Sequence, residues 1–324
     1  MGLSVSAARR VHRVVENQKT LARAGEIEGV GLHSGRRAWL RLTPSGPDSG
    51  IVFARRDCGG FEIPAIHRYL KGTSFATTLA RGDMVVSTVE HLLSALQGLG
   101  IDNARIEVDG PEVPIMDGSA LPFVDLIRAA GVRSLGARRR YLTVRRPISL
   151  KDGEREILAV PANDFQITYA IDFPHPAIGY QAVTASISEG AYVASIAPAR
   201  TFCMLRDVQA MRQAGLALGG SLENALVIGE DGVMNASLRY ADECVRHKVL
   251  DLVGDLALLG APLRAHVIAT KGGHRLHAAL IGKLLASQGS WSLGTSEELL
   301  PAAHLAQFAH LSEKLVRSRV ALTA

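Results

Sequence analysis

The chain has 324 residues, 47% hydrophobic and 21% charged, with a net charge of +5, enough for a full core in one large or two ordinary domains. This composition excludes a disordered, collagenous or disulfide-stapled chain; three dispersed cysteines with no C-x-x-C fit a reducing cytoplasm. No apolar run reaches membrane-span length, and the arginines of 133–146 carry too few interleaved aromatics for a nucleic-acid face, so neither an integral membrane segment nor a nucleic-acid partner is expected.

Residues 1–18 are polar without periodicity and read as a disordered N-terminal extension. A first domain then spans 19–132. Ile27 to Gly35 reads as a strand followed by a glycine turn, and Ala38–Leu42 and Ile51–Ala54 as further strands. Ser87-Thr88-Val89-Glu90-His91 leads into an apolar run at helical spacing that Gly98 and Gly100 stop. A strand at 101–108, a Gly/Pro-rich loop at 109–118 and a helix at 122–130 complete this half. Residues 133–146 hold Arg133, Arg138, Arg139, Arg140, Arg145 and Arg146 and read as a basic, solvated linker. The second domain, 141–300, shows strands at 141–144, 157–160 and 165–169. A short helix with a glycine loop follows at 204–220, then a helix at 243–259, a strand at 264–270 and a helix beginning near Leu276. Residues 301–324 form a C-terminal helix or tail. The helices that open at His91 and at His247 both start with a histidine followed by an apolar run, which suggests a duplicated unit.

Within the 243–259 helix, His247, Asp251 and Asp255 stand at i, i+4 and i+8, on one face. A histidine and a carboxylate one turn apart can chelate a divalent metal, and mixed nitrogen and oxygen ligands suit zinc; the same spacing also describes a satisfied histidine beside two solvated aspartates. His91, on the first turn of its helix, can reach a metal, with Glu90 beside a coordinated water; a capping carboxylate next to a core histidine is the alternative. His274 lies in a glycine loop and can donate a proton. Asp255 can orient it, and Lys248 and Thr201 can steady an oxyanion; each of these four also reads as a surface or capping residue. The other histidines (12, 33, 67, 175, 266, 277) have no matched partner in the sequence and read as structural, His33 least clearly.

Eight segments in order over about residues 20–290 resemble one family. They are Gly29-Val-Gly-Leu-His-Ser-Gly35, Ser87-Thr-Val-Glu-His91, Gly100-Ile-Asp-Asn103, Gly110-Pro-Glu-Val-Pro-Ile-Met-Asp-Gly-Ser-Ala120, Ile171-Asp-Phe-Pro-His-Pro176, Ala199-Arg-Thr-Phe202, Val245-Arg-His-Lys-Val-Leu-Asp251 and Gly272-Gly-His274. Together they are similar to the bacterial UDP-3-O-acyl-N-acetylglucosamine deacetylases, zinc amidases of lipid A synthesis in Gram-negative cells.

The resemblance implies an α+β fold of two similar domains, each a sheet layered on helices with a small insert, and an active site between them. It implies that His91, His247 and Asp251 hold one zinc ion, that Glu90 is the general base, and that His274 is the general acid supported by Asp255. Thr201 and Lys248 would steady the tetrahedral intermediate or bind substrate, and Phe202 would line the sugar and acyl region. The second insert, at about 203–222, would form an apolar passage for the acyl chain with Met204, Leu205, Met211, Leu216 and Leu218. The implied reaction removes the N-acetyl group from an acylated UDP-aminosugar, in a cytoplasmic enzyme expected to be a monomer. Another metal-dependent amidase acting on an acylated aminosugar, and a non-catalytic zinc-stabilised nucleotide-sugar binding protein, are the alternative readings. Ala76 stands where some members of the family carry cysteine or serine.

Overall fold

A computed structural model describes residues 16–235 and 237–299. The fold is α+β, and its organisation is a β-β-β-β-α-β-α unit used twice. In the first unit the strands are Gly25–Val30, Arg37–Pro44, Ile51–Arg55, Phe61–Pro64 and Ala104–Val108, with helices α1 (Glu90–Gly98) and α2 (Leu121–Ala130). In the second they are Ile148–Asp152, Arg155–Val160, Phe165–Phe173, Gly179–Ser186 and Leu263–Thr270. Each sheet runs in the order first, second, fifth, third, fourth, with the fifth strand parallel to the third and every other pair antiparallel. The duplication suspected from two helices thus extends to strand order and direction.

Both units take their extra chain at the same point, between the fourth strand and the first long helix. In the first unit it is a small three-stranded sheet, Leu70–Gly72, Thr78–Arg81 and Met84–Val86. In the second it runs over 187–242 and holds α3 (Glu189–Ser195), α4 (Leu205–Gln213) and a second three-stranded sheet of Phe202–Met204, Leu226–Gly229 and Gly232–Val233. The stretch expected at 203–222 is the middle of this larger segment. The unit closes with α5 (Glu243–Leu256), the strand Leu263–Thr270 and α6 (His274–Ala286).

The arginine-rich stretch at 133–146 is not a linker loop. It forms two strands, Val132–Arg138 and Arg140–Val144. The first pairs with Asn17–Leu21, so residues 17 and 18 belong to a strand rather than to a disordered extension. The second joins the larger sheet beside Leu263–Thr270 and Trp291–Thr295. Tyr141, Leu142 and Val144 are buried there, and the arginines are accommodated at the margins. Arg139 Nε donates to Asp102 at 2.8 Å, and its guanidinium lies over the Tyr141 ring, 5.4 Å from the centroid. The rest of the extension and the expected tail at 301–324 lie outside the described residues.

Helices α1 and α5 pack against each other at the centre of the molecule. Both are buried nearly all round, which explains why their sequences show apolar residues on every face around a few polar ones. Leu92, Leu93 and Leu96 of α1 and Leu250, Leu252 and Val253 of α5 are fully buried, each contributing roughly 1.5–3 kcal/mol. Ser94 Oγ donates to the Leu250 carbonyl at 2.8 Å and accepts from the Tyr192 hydroxyl at 2.8 Å, tying α3 to the pair. The approach is closest at Gly254, where an added Cβ would lie 2.0 Å from the Glu90 carbonyl oxygen. Gly254→Ala is therefore expected to push the two helices apart, lowering stability by about 1–3 kcal/mol and weakening any metal held between them. Thermal unfolding and metal titration of this variant check both effects.

Candidate active site

The closeness of α1 and α5 decides the site. His91, on the first turn of α1, faces His247 and Asp251, one turn apart on α5. All three are buried. The Asp251 Oδ1 lies 3.2 Å from His247 Nε2 and 3.7 Å from His91 Nε2, the two rings stand edge to face at 5.0 Å, and the three donor atoms fall within 4.8 Å of one another.

The ionisation of this cluster suits a cation. His247 Nδ1–H donates to the Ala199 carbonyl at 3.0 Å, which turns Nε2 toward Asp251. Burial, together with the adjacent His247, lowers the His91 pKa to about 3, so this ring is neutral. Its Nδ1 is buried without a hydrogen-bond partner among the described residues. Burial alone would raise Asp251, but His247 and Lys248 outweigh it and hold the carboxylate well below its usual range. Lys248 Nζ donates to Asp251 Oδ2 at 3.0 Å and lies 5.5 Å from the centroid of the Phe202 ring. Two imidazoles and an ionised carboxylate, all shielded from water, fit a divalent metal such as zinc with a coordination position left for solvent.

Glu90 and His274 flank this cluster. Glu90 Oε2 accepts the Thr77 N–H at 3.0 Å, and Oε1 stands 3.9 Å from His274 Nε2. Burial pushes the Glu90 carboxyl up to about 7. His274, at the first position of α6, is held through Nδ1 by Asp255 Oδ2 at 2.7 Å, so Nε2 is the nitrogen turned toward Glu90. Burial opposes its charge, but Asp255 prevails and raises its pKa to about 10. The pair is thus a carboxylate able to take a proton and an imidazolium able to give one.

The segment carrying Thr201 is clamped from α5. Glu243 Oε1 accepts from both the backbone N–H and the Nε of Arg200, at 3.0 and 2.8 Å, which fixes the Ala199 carbonyl on one side and Thr201 on the other. Thr201, Phe202, Lys248, Glu90, His274 and the three clustered residues all line one cavity of about 890 Å³. Met204, Leu205, Met211 and Leu216 line it as well, giving it an apolar wall. Leu218, expected beside them, is not among the lining residues; it is half exposed and lies against Gly35.

Sequence reasoning missed Thr77, which donates its N–H to Glu90 and its hydroxyl to Asp255 Oδ1 at 2.5 Å; no spacing ties residue 77 to either. It also set His277 among the structural histidines. That ring is fully buried and shares Asp255 with His274; their i, i+3 spacing was the available signal. His33, the least certain of that group, lines the cavity with a buried Nε2 that has no hydrogen-bond partner among the described residues.

Two imidazoles and a carboxylate that could hold a metal, with a buried carboxyl group and an imidazole able to exchange protons beside them, are an arrangement that fits metal-assisted hydrolases. Comparison with known proteins narrows the class. Residues 18–286 match the family model LpxC, UDP-3-O-acyl N-acetylglycosamine deacetylase. The chain is 49% identical over 274 residues to the UDP-3-O-acyl-N-acetylglucosamine deacetylase of Anaeromyxobacter sp. strain Fw109-5, covering 84% of this chain and 90% of the relative. It is 47% identical over 279 residues to the protein of that name from Myxococcus xanthus strain DK1622, covering 86% and 89%. The chain belongs to the UDP-3-O-acyl-N-acetylglucosamine deacetylase family and is a deacetylase. Among the described residues no helix is long and apolar enough to cross a membrane.

Proposed function

We propose that the enzyme is a zinc-dependent deacetylase that removes the N-acetyl group from UDP-3-O-(3-hydroxyacyl)-N-acetylglucosamine, giving acetate and the free amine. This is the committed step of lipid A biosynthesis, placed in the cytoplasm of a Gram-negative bacterium and carried out by a monomer. The observation that carries the reading is the meeting of His91, His247 and Asp251 with Glu90 and His274 in a cavity that also has an apolar wall.

In this reading His91, His247 and Asp251 hold the zinc. Bound zinc supplies Lewis-acid chemistry, polarising an amide carbonyl and bringing water into the range of a carboxylate base. Glu90, steadied by the Thr77 N–H, takes the proton of the attacking water. Lys248 and Thr201 donate to the carbonyl oxygen as negative charge builds on it. His274 gives its Nε2 proton to the departing nitrogen as the C–N bond breaks, while Asp255 stabilises the imidazolium until then. Phe202 and the methionines and leucines of the second insert receive the sugar and its acyl chain.

The pH dependence follows from the two flanking groups. Glu90 must be ionised, so kcat/KM rises with pH through its pKa, about 7 from burial and drawn lower by a bound cation. His274 must be protonated, so kcat/KM falls as pH passes about 10. His274→Gln is expected to abolish the upper limb and reduce turnover about a hundredfold; a pH–rate profile of both proteins checks this. The reading itself is tested by acetate release from the acylated UDP-sugar. Release should stop with a chelator, return with zinc and be absent with unacylated UDP-N-acetylglucosamine. Activity confined to another acylated aminosugar amide would make the protein a different amidase. Tight binding without acetate would make it a binding protein.

A further inference from the structure

Helix α6 brings a second imidazole to the carboxylate of Asp255. His277 Nδ1 lies 2.8 Å from Asp255 Oδ2, the same oxygen that stands 2.7 Å from His274 Nδ1. On its other side, His277 Nε2 is 3.0 Å from the hydroxyl of Tyr169, in the strand Phe165–Phe173. His277 and Tyr169 are both fully buried. The chain closes over them at Gly272, where an added Cβ would lie 2.7 Å from the Tyr169 hydroxyl.

The protons in this row can be placed. Burial opposes ionisation of Asp255, but His274 and His277 outweigh it and lower its pKa to about 2, so the carboxylate only accepts. His274 and His277 must both present Nδ1–H to it. Burial holds the Tyr169 phenol well above its ordinary value and His277 below its own, so the phenol keeps its proton and the His277 ring is neutral. Tyr169 O–H therefore donates to Nε2, which fixes His277 as the Nδ1–H tautomer. A histidine serving only the core could end on any acceptor; this one ends on the oxygen that holds the proposed acid.

We propose that His277, with its tautomer set by Tyr169, is a positioning residue that orients Asp255 and sets the acidity of His274. Its N–H fixes the rotation of the carboxylate, together with Thr77 on Oδ1. It also withdraws charge from Oδ2, so that Asp255 grips the His274 imidazolium less tightly and the imidazolium is the stronger acid. The charged groups facing His274 are Asp255 and Asp251 of α5 and Glu90 of α1; His277 is the neutral ring that tempers the first of them. The inference rests on the role proposed above for His274.

His277→Leu, which removes the N–H, should lower kcat about tenfold or more with KM little changed. It should also move the upper limb of the pH profile to higher pH. His277→Asn, whose side-chain amide can donate to Asp255, should restore kcat to within about threefold of the native value. Nitrogen-15 NMR of the native imidazoles should show His277 protonated on Nδ1 and not on Nε2, and Tyr169→Phe should release that tautomer. A folded His277→Leu protein with native kcat and an unmoved upper limb would overturn the proposal, as would an Asn variant no better than Leu. Should the Leu variant not fold, Tyr169→Phe decides: an unchanged tautomer and pH profile would overturn it. A native protein that releases no acetate would sink the deacetylase reading instead, and the tautomer spectrum would still decide the hydrogen-bond row.

Discussion

Glu90→Gln is expected to retain about one zinc per chain and to lose two to three orders of magnitude in kcat, roughly the contribution of a positioned general base. The amide is nearly isosteric with the carboxylate, and its oxygen can still accept the Thr77 N–H that Glu90 accepts at 3.0 Å. It cannot take a proton. Because Glu90 is buried in the contact between α1 and α5, the neutral replacement also removes a carboxylate that burial disfavours, so stability should not fall. Steady-state kinetics with metal analysis on the same sample separates the proton-transfer role from metal binding. A native rate in this variant would remove Glu90 from the mechanism.

His247→Ala should weaken metal binding by more than about a hundredfold, since even the outer partners of a metal ligand are worth ten- to a hundredfold. The ring is held in place by Nδ1–H to the Ala199 carbonyl at 3.0 Å, with Nε2 toward Asp251. Its loss would leave two of the three ligands, His91 and Asp251, 3.7 Å apart, with Asp251 still paired to Lys248. Competition against a chromophoric chelator measures the loss. Unchanged zinc stoichiometry and affinity would show that the ion sits elsewhere.

Much of the site was legible because its geometry is local. His247 and Asp251 are one turn apart on one helix, and Glu90-His91 opens another, so each half of the cluster is written in a few consecutive residues. That the halves meet is a tertiary fact: it depends on Gly254 letting α5 rest on the Glu90 carbonyl, and a glycine inside a helix does not name its neighbour. Thr77 was illegible for the same reason, its partners lying 13 and 178 residues away.

In the fold, the matched helices pointed to duplication, but the shared strand order needed the pairing itself, since Ile148–Asp152 and Gly179–Ser186 carry too little apolar alternation to stand out. The stretch 133–146 misled because arginine count masked a strand pattern. Tyr141, Leu142 and Val144 are buried while Arg139 stacks on Tyr141 and pairs with Asp102. The second insert was drawn too short because only its helix and glycine loop have a clear period; the strands at 202–204 and 226–233 are short and pair mainly with each other.

The central claim is that residues from two copies of one structural unit hold a single ion. X-ray absorption at the zinc edge of the purified, active protein tests it most directly. The account predicts four light ligands at about 2.0–2.1 Å with the multiple-scattering signature of two imidazoles and no sulfur. A single imidazole, or any sulfur in the first coordination sphere, would contradict it.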